Sequence, residues 1–236
     1  MNIALILAGG MDPGFQMNVP KQFVNVFNRP VITYTLEIFQ NHPEIDAIAV
    51  ACLDGWQEML KAYSRQFNIT KLKWLAAGGF DGQGSARNGV KELNEICDEN
   101  DIIVIHDAIR PMVTEDMITD SIAVCRKYGM GVAAVRTMDT IMKTEDGRTG
   151  MESISRYSII RIQTPQAYRF GLLREIHSKA LEKRISGEVD TNSAASKLGM
   201  KIYFSKGSDW NIKINTVQDV EMFKALYCMQ KEEKEE

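Results

Sequence analysis

The sequence lacks the residue patterns that mark several common classes of protein. None of its four cysteines forms a CxxC motif, and its three histidines, His42, His106 and His177, are scattered. We expect His42 at a helix end and His177 on a helix surface. Neither GxGxxG nor GxxxxGK[ST] occurs. These absences argue against a zinc site, a nucleophilic triad and the two most familiar nucleotide-binding fingerprints.

Long apolar runs and an excess of basic residues are also missing. No stretch approaches the roughly 20 apolar residues of a membrane span, and the amino terminus has no basic flank of the signal-peptide type. The net charge is −3 and the pI about 5.8, which does not favour a nucleic-acid surface. We therefore expect a cytoplasmic protein with reduced cysteines that binds neither membrane nor nucleic acid.

What the chain does contain is a distinctive first stretch, MNIALILAGGMDPGFQMNVPKQ. The apolar run Ile3 to Ala8 is typical of a strand buried on both faces. Gly9 and Gly10 follow it, so backbone N–H groups can approach a phosphate closely. Lys21 can add a point charge to that phosphate. The alternative is a tight turn followed by a surface lysine.

Strand and helix patterns then alternate, which predicts a doubly wound, mainly parallel α/β sheet. In such sheets, ligands bind outside the carboxyl ends of the strands. Unusual loops follow strands one, three and four and therefore share one edge. At 236 residues, the chain fits a single domain, residues 1–236. The further strands are expected at 46–52, 71–76, 101–106, 130–135 and 201–205, with later helices at 170–184, near 190 and at 217–229.

The pattern changes at residues 136–162, where short alternating segments flank an Asp146-Gly147 turn. This is typical of a β-hairpin. Because a two-stranded hairpin is only marginally stable alone, we expect a β-arm that packs on another subunit.

Three residues near glycine loops could carry chemistry. Asp107 follows the fourth strand and could hold Mg²⁺ or cap a turn. Arg110 could clamp a phosphate or pair with Asp107. Ser85 opens a helix, where it could be the N-cap, a ligand contact or both. Acids, lysines and arginines around glycine loops suit phosphoryl or nucleotidyl transfer.

Several motifs occur in an order that resembles the alditol-phosphate cytidylyltransferases, which include the methylerythritol phosphate and ribitol 5-phosphate enzymes. They are LAGG at 7–10, PKQF at 20–23, GG at 78–79 with Ser85, IHDAIRP at 105–111, TPQ at 164–166 and NIKI at 211–214. The resemblance implies a Rossmann-like nucleotidyltransferase fold in a homodimer. It also implies the reaction, in which an alditol phosphate attacks the α-phosphorus of CTP and releases pyrophosphate with the help of Mg²⁺.

The resemblance assigns roles to individual residues. Lys21 matches the lysine at the triphosphate, Lys213 the one near the α-phosphate, and Asp107 the acid near metal and acceptor. Thr140 and Arg156 match arm residues that reach the acceptor phosphate of the neighbouring subunit, and Arg110 is assigned to the acceptor as well. The nucleotide contacts are assigned to Ala8, Gly9, Gly10, Gly79 and Ser85.

Two positions depart from the family pattern. An arginine usually stands about seven residues before the loop lysine, where this chain has Gly14, and losing such a charge can cost about 10³ to 10⁵ in rate. Arg87 is our candidate substitute. Gly82 replaces an arginine common in methylerythritol-type members, and GQ at 82–83 with LDGW at 53–56 favours ribitol 5-phosphate or a related acceptor. The alternatives are an enzyme that uses another NTP and a nucleotide-binding relative without turnover.

Overall fold

A computed structural model describes residues 1–10, 15, 19–185 and 190–235. The departure at Gly14 lies outside these residues. The strands are β1 (Asn2–Ala8), β2 (Asn25–Val26), β3 (Arg29–Pro30), β4 (Ala47–Cys52), β5 (Leu72–Ala77), β6 (Ile102–Asp107), β7 (Met130–Arg136), β8 (Ile141–Lys143), β9 (Glu152–Ile154), β10 (Ile160–Arg169) and β11 (Phe204–Lys206). The helices are α1 (Val31–Asn41), α2 (Gln57–Gln66), α3 (Gly82–Glu92), α4 (Glu115–Tyr128), α5 (Phe170–Glu182), α6 (Thr191–Lys197) and α7 (Val217–Glu235).

A seven-stranded sheet in the order β11-β7-β10-β6-β1-β4-β5 forms the centre of the molecule. β1 lies between β4 and β6 and is parallel to both. Its apolar run Ile3–Ile6 is fully buried, because helices cover both faces of the sheet. The predicted doubly wound, mainly parallel α/β fold is confirmed. The extent of a single domain, 1–236, stays a prediction.

The exception to parallel pairing is β10, which runs antiparallel to both β6 and β7. This strand is not predicted from the sequence, and its first residues fall within the predicted arm, 136–162. Its register shifts between Ile162 and Gln166, around Pro165, which has no N–H to donate to a ladder. Polar residues at Gln163, Thr164 and Gln166 further mask the alternation expected of a strand.

Two apolar clusters cover the faces of the sheet, and a third lies beneath the last helix. One face packs against α1, α2 and α4 through residues such as Leu36, Leu60 and Met117. The other packs against α3, α5 and α6. In the third cluster, Phe223 of α7 packs with Tyr34 of α1, so the carboxyl-terminal helix is held near the chain segment that follows the first glycine loop.

The predicted hairpin is confirmed by the antiparallel pairing of β8 with β9. Its turn contains Gly147 at a φ of 70°, and the Asp146 carboxylate accepts the N–H groups of Arg148 and Thr149. Large apolar side chains are exposed here, with Met151 at 101% and Tyr157 at 86% of full exposure. We define the β-arm as residues 137–159. Its predicted contact with a second subunit stays a prediction.

The start of α3 differs from the prediction. The helix begins at Gly82, and its N-cap is Asp81, whose side chain accepts the Gly84 N–H. Ser85 therefore lies one turn inside the helix and is not the cap. Its hydroxyl instead accepts the N–H of Gly79 at 2.9 Å, which ties the second glycine loop to α3.

No helix in the described ranges combines the length and the apolar character that crossing a membrane would need.

The loops after β1 and β5 touch at Gly9, where there is no room for a side chain. A Cβ on Gly9 would lie 2.5 Å from the Cα of Gly78 and 2.5 Å from the Oγ of Ser85. The first contact is with backbone, which cannot rotate away. Gly10 is different, because no atom of the described residues lies within 4 Å of a Cβ built there.

We expect Gly9→Ala to lower the free energy of unfolding by about 1 to 3 kcal/mol, because the methyl group would push the two loops apart. Gly10→Ala is the matched control and should leave stability nearly unchanged. Denaturant melts of both variants measure the difference. Equal stability of the two variants would contradict the close approach at Gly9.

Candidate active site

Two adjoining cavities open at the carboxyl ends of β1 and β6, and both are bordered by Leu7, Gly82, Asp107 and Lys213. The smaller, of about 140 Å³, we call the glycine-loop cavity. Its other lining residues are Ala8, Gly9, Gly10, Lys21, Gln22, Ser85 and Ile109. The larger, of about 330 Å³, we call the β10 cavity. Its other lining residues are Ala86, Ile105, Arg110, Ile162, Gln163, Thr164, Gln166, Asp190 and Thr191.

Asp107 stands at the boundary of the two cavities and binds two cations through one oxygen. Its Oδ2 accepts from the Nε of Arg110 at 2.9 Å and lies 3.1 Å from the Nζ of Lys213. The Asp107 N–H donates to the Oγ1 of Thr164 at 3.1 Å. Only 14% of the Asp107 side chain is exposed, against 35% for Lys213. Of the two alternatives for Arg110, the pairing with Asp107 is thus present, beside an open cavity.

These cations hold Asp107 in its ionised form. Burial raises the pKa of the carboxyl group. Lys213, Arg110 and the neighbouring His106 lower it by more than burial raises it, so that the pKa is about 2. Because the folded pKa lies below the unfolded value of 3.8, the ion pairs stabilise the fold above about pH 4 and lose their effect as the pH falls through about 2. At neutral pH, Asp107 is therefore a fixed negative charge and a weak base.

His106 supports the turn that carries these groups and does not face the ligand space. It is fully buried, and its Nε2 lies 3.1 Å from the carbonyl oxygen of Arg110, to which it must donate. Burial lowers the pKa of His106 to about 4, so the ring is neutral at pH 7. It holds the chain from β6 to Arg110 in a compact turn.

Lys21 and Lys213 come from opposite ends of the sequence but meet at one segment. The Nζ of Lys21 donates to the Oδ1 of Asn215 at 3.2 Å, two residues beyond Lys213. The N–H groups of Asn215 and Thr216 donate in turn to the carboxylate of Asp219 in α7. This arrangement brings both lysines to the glycine-loop cavity, as the resemblance implies.

The glycine loop itself is tied down by a residue that sequence reasoning did not single out. The Nε2 of buried Gln22 donates to the carbonyl oxygens of Ala8 at 2.8 Å and Gly10 at 3.4 Å. Ala8, Gly9, Gly10 and Ser85 all line the cavity. Gly79 is not among its described lining residues, and the Gly79 N–H is already bonded to Ser85.

The arm residues lie outside both cavities in the single chain. Thr140 is exposed, and Arg156 donates to the carbonyl oxygen of Met138 at 3.0 Å, within the arm. Their predicted role therefore needs a second subunit. Arg87 is not among the described residues that line either cavity. Its charge lies near His177. The structure therefore does not support the hypothesis that Arg87 replaces the missing arginine.

The β10 cavity contains the residues that sequence reasoning missed. These side chains come from the irregular strand β10 and from the start of α6, which was recognised only as a helix. The TPQ motif at 164–166 was a signal for part of this wall. The missed residues are Gln163, Asp190 and Thr191.

The residues fit a magnesium ion that is held mainly by substrate. No cluster of three or more His, Cys, Asp or Glu side chains suited to a metal occurs in the described part of the chain. Mg²⁺ commonly binds one or two carboxylates together with substrate phosphates and waters. Asp107 supplies one such carboxylate, so it is the residue that would hold the ion.

A third, wider groove of about 590 Å³ runs along β5 and α2, lined in part by Lys61, Arg65 and Lys73. It lies on the edge strand of the sheet and contains none of the motif residues. Size alone therefore does not identify the functional site, whereas the converging charges at Asp107 do.

Comparison with known proteins finds related sequences over nearly the whole chain. The family model described as IspD, 2-C-methyl-D-erythritol 4-phosphate cytidylyltransferase, matches residues 2–229. The ribitol-5-phosphate cytidylyltransferase of Lacticaseibacillus paracasei is 42% identical over 98% of this chain and 100% of its own length. A Clostridium botulinum 2-C-methyl-D-erythritol 4-phosphate cytidylyltransferase is 30% identical over 93% of this chain and 94% of its own.

A solved structure gives the same result for the fold. The crystal structure of Francisella tularensis 2-C-methyl-D-erythritol 4-phosphate cytidylyltransferase superposes with a TM-score of 0.77 at 25% identity, over 95% of this chain and 99% of that one. The residues matched by the family model, 2–229, include Lys21, Asp107 and Lys213. The chain therefore belongs to the 2-C-methyl-D-erythritol 4-phosphate cytidylyltransferase family, whose named members include ribitol-5-phosphate cytidylyltransferases.

Proposed function

We propose that this enzyme transfers the cytidylyl group of CTP to an alditol phosphate, releases pyrophosphate and forms a CDP-alditol. The observation that carries the proposal is that Lys21 and Lys213 line the glycine-loop cavity, while Lys213 and Arg110 pair with Asp107 at its boundary with the β10 cavity. Ribitol 5-phosphate is the favoured acceptor, because the ribitol-5-phosphate relative is 42% identical and the methylerythritol-type relative 30%.

The chemistry needs charge neutralisation more than proton transfer. A phosphate monoester has a second pKa of about 6, so at neutral pH the acceptor oxygen is already an anion that can attack the α-phosphorus. Asp107, with its pKa lowered to about 2, is too weak a base to assist. Lys21, Lys213 and Arg110 instead bring two polyanions together and stabilise the charge that develops during transfer.

Mg²⁺ is proposed as the cofactor, with Asp107 as its protein ligand. When bound, the ion would supply additional positive charge to the phosphate oxygens. The Asp107 carboxylate already has two cationic partners, so phosphate groups compete with it for Arg110 and Lys213. A carboxylate freed from those contacts would be available to the ion.

A homodimer is proposed because the arm carries Thr140 and Arg156 away from the cavities of its own chain. Exposed apolar side chains on the arm, including Met138, Met151 and Tyr157, suit burial against a second copy. In such a dimer, each arm would place its arginine at the acceptor phosphate of the partner.

A cytoplasmic location is proposed on the state of the thiols. All four cysteines are free, and Cys52 and Cys125 are buried. Free thiols are typical of a reducing compartment.

The proposal is tested by measuring pyrophosphate release with each of the four NTPs against ribitol 5-phosphate and 2-C-methyl-D-erythritol 4-phosphate. We expect turnover with CTP and ribitol 5-phosphate, and a loss of about 10²- to 10³-fold in kcat for Lys21→Ala and for Lys213→Ala. Lys224→Ala is the control, because Lys224 pairs with Glu221 on the solvent-facing side of α7. CTP binding without release on any acceptor would contradict the proposal, and preference for another NTP would correct the nucleotide.

The pH dependence should follow the substrate and not Asp107. We expect kcat/KM for the acceptor to rise up to about tenfold per pH unit below pH 6 and to level off above about 7, because only the dianion attacks. An acceptor phosphonate, whose second pKa is higher, should move the inflection upward. The pH profile of the residual rate is also measured for Asp107→Asn. If the inflection disappears in this variant, the titrating group is a protein carboxylate and not the acceptor phosphate.

The arm is tested by mixing two inactive variants. Lys213→Ala impairs its own site, whereas Arg156→Ala should impair the partner's. Random subunit exchange should therefore give mixed dimers with one intact site and restore about a quarter of wild-type activity. No recovery after exchange, with dimers verified by size, would contradict a shared site.

A further inference from the structure

The β10 cavity has a polar wall that the transfer chemistry does not use. Gln166 and Thr164 belong to this wall and are two residues apart on β10. Gln166 pairs with Ile105 in the register of the sheet, whereas the Thr164 hydroxyl contacts the N–H of Asp107. At about 3.3 Å per residue, the Gln166 position therefore lies roughly 6 to 7 Å along β6 from the charge cluster. An acyclic polyol can span that distance.

A buried hydrogen-bond chain orients one carboxylate toward this wall. The hydroxyl group of fully buried Tyr168 donates to the Oε1 of Gln166 at 2.8 Å. The Nε2 of Gln166 then faces the Oδ2 of Asp190 at 3.5 Å. If the Gln166 amide were turned the other way, its oxygen would face the Asp190 carboxylate and repel it. The hydrogen bonds therefore run in one favourable direction, from Tyr168 to Gln166 Oε1 and from Gln166 Nε2 to Asp190.

The two oxygens of Asp190 have different roles. Oδ1 caps α6 by accepting the N–H of Ser193 at 3.0 Å and its hydroxyl at 2.7 Å. Among the described residues, Oδ2 has the long contact to Gln166 as its one hydrogen bond. Asp190 also borders the cavity, so an acceptor oxygen with spare capacity stands beside ligand space.

An ionised carboxylate can accept hydrogen bonds but cannot donate them. It repels the phosphates of either substrate and favours a ligand group that carries an O–H. Thr191, next in sequence, adds a hydroxyl group held by His177 at 3.3 Å. His177 is buried within α5, contrary to the surface position expected from the sequence. The wall therefore suits hydroxyl groups, while the phosphate end belongs to Arg110 and Lys213.

We propose that the Oδ2 atom of Asp190 accepts a hydrogen bond from an acceptor hydroxyl remote from the phosphate, and that Asp190 is thereby a specificity-determining residue for a polyol phosphate. The inference rests on the proposed function and specifies what the enzyme selects in its acceptor. The competing role for Asp190 is that of a helix cap alone.

The first test separates these roles with Asp190→Ser and Asp190→Ala. Serine can still cap α6 but removes the Oδ2 oxygen, whereas alanine removes both. For Asp190→Ser, we expect KM for ribitol 5-phosphate to rise about 10- to 100-fold, as for a lost hydrogen bond to a charged group, and KM for CTP to stay within about twofold. Glu175→Gln, which removes an exposed charge paired with Lys179 on α5, should change neither.

The second test removes the partner group from the substrate. Ribitol 5-phosphate is compared with a series in which each hydroxyl group is replaced by hydrogen, on wild type and on Asp190→Ser. One deoxy compound should lose about as much in kcat/KM on wild type as the variant loses, with little further loss when the two changes are combined. Additive losses for every compound would overturn the inference.

The outcomes distinguish the inference from the proposed function. If wild type releases pyrophosphate from CTP and ribitol 5-phosphate but Asp190→Ser matches it in KM, the inference fails alone and Asp190 is a cap. If wild type uses no alditol phosphate, the proposed function fails and the inference fails with it.

Discussion

The site depends on a single carboxylate held between two cations. Asp107 stands where β6 ends, and its Oδ2 meets both Arg110 and Lys213. These partners come from segments about a hundred residues apart, so the ion pairs fix the end of the chain against the central strands. The same contacts keep the two cations close together before any phosphate arrives. Cations that are already positioned lose less reorganisation energy when a polyanion binds.

Close packing of glycine loops provides the other half of the site. Gly9 approaches Gly78 so closely that a methyl group would collide with backbone, and Gln22 bonds to two carbonyl oxygens of the same loop. The positions of Gly9 and Gly10 are therefore restrained by the chain that follows β5 and by Gln22. Lys21 follows from this loop and reaches Asn215, so the first and last parts of the chain close on one cavity.

The parts that the sequence could predict are those in which local pattern and spatial position coincide. β1 and β6 are largely apolar runs that lead to Gly9 and Asp107, and the second glycine pair follows β5, so the shared edge could be predicted from alternation alone. β10 could not, because Pro165 and its polar neighbours suppress the period of two and because its pairing is antiparallel. The position of Asp190 at the cavity could not be predicted for a related reason. Asp190 is an ordinary helix cap locally, and only the packing of α6 against the sheet beside Gln166 brings it to the cavity that Asp107 also borders.

Charged and neutral groups are distributed unevenly along the two adjoining cavities. Cations border the glycine-loop side and the boundary, whereas a carboxylate and neutral hydroxyl and amide groups border the β10 side. A molecule with a phosphate at one end and hydroxyl groups at the other can satisfy both environments in only one orientation, because reversal would set phosphate against Asp190 and leave the cations unpaired with substrate. Under the proposed function, the orientation that satisfies them would place the acceptor phosphate at the boundary beside Lys213, where the α-phosphorus of a nucleotide in the glycine-loop cavity would also lie. Under the same proposal, charge placement would both select the acceptor and align it for attack, without any residue acting as a base.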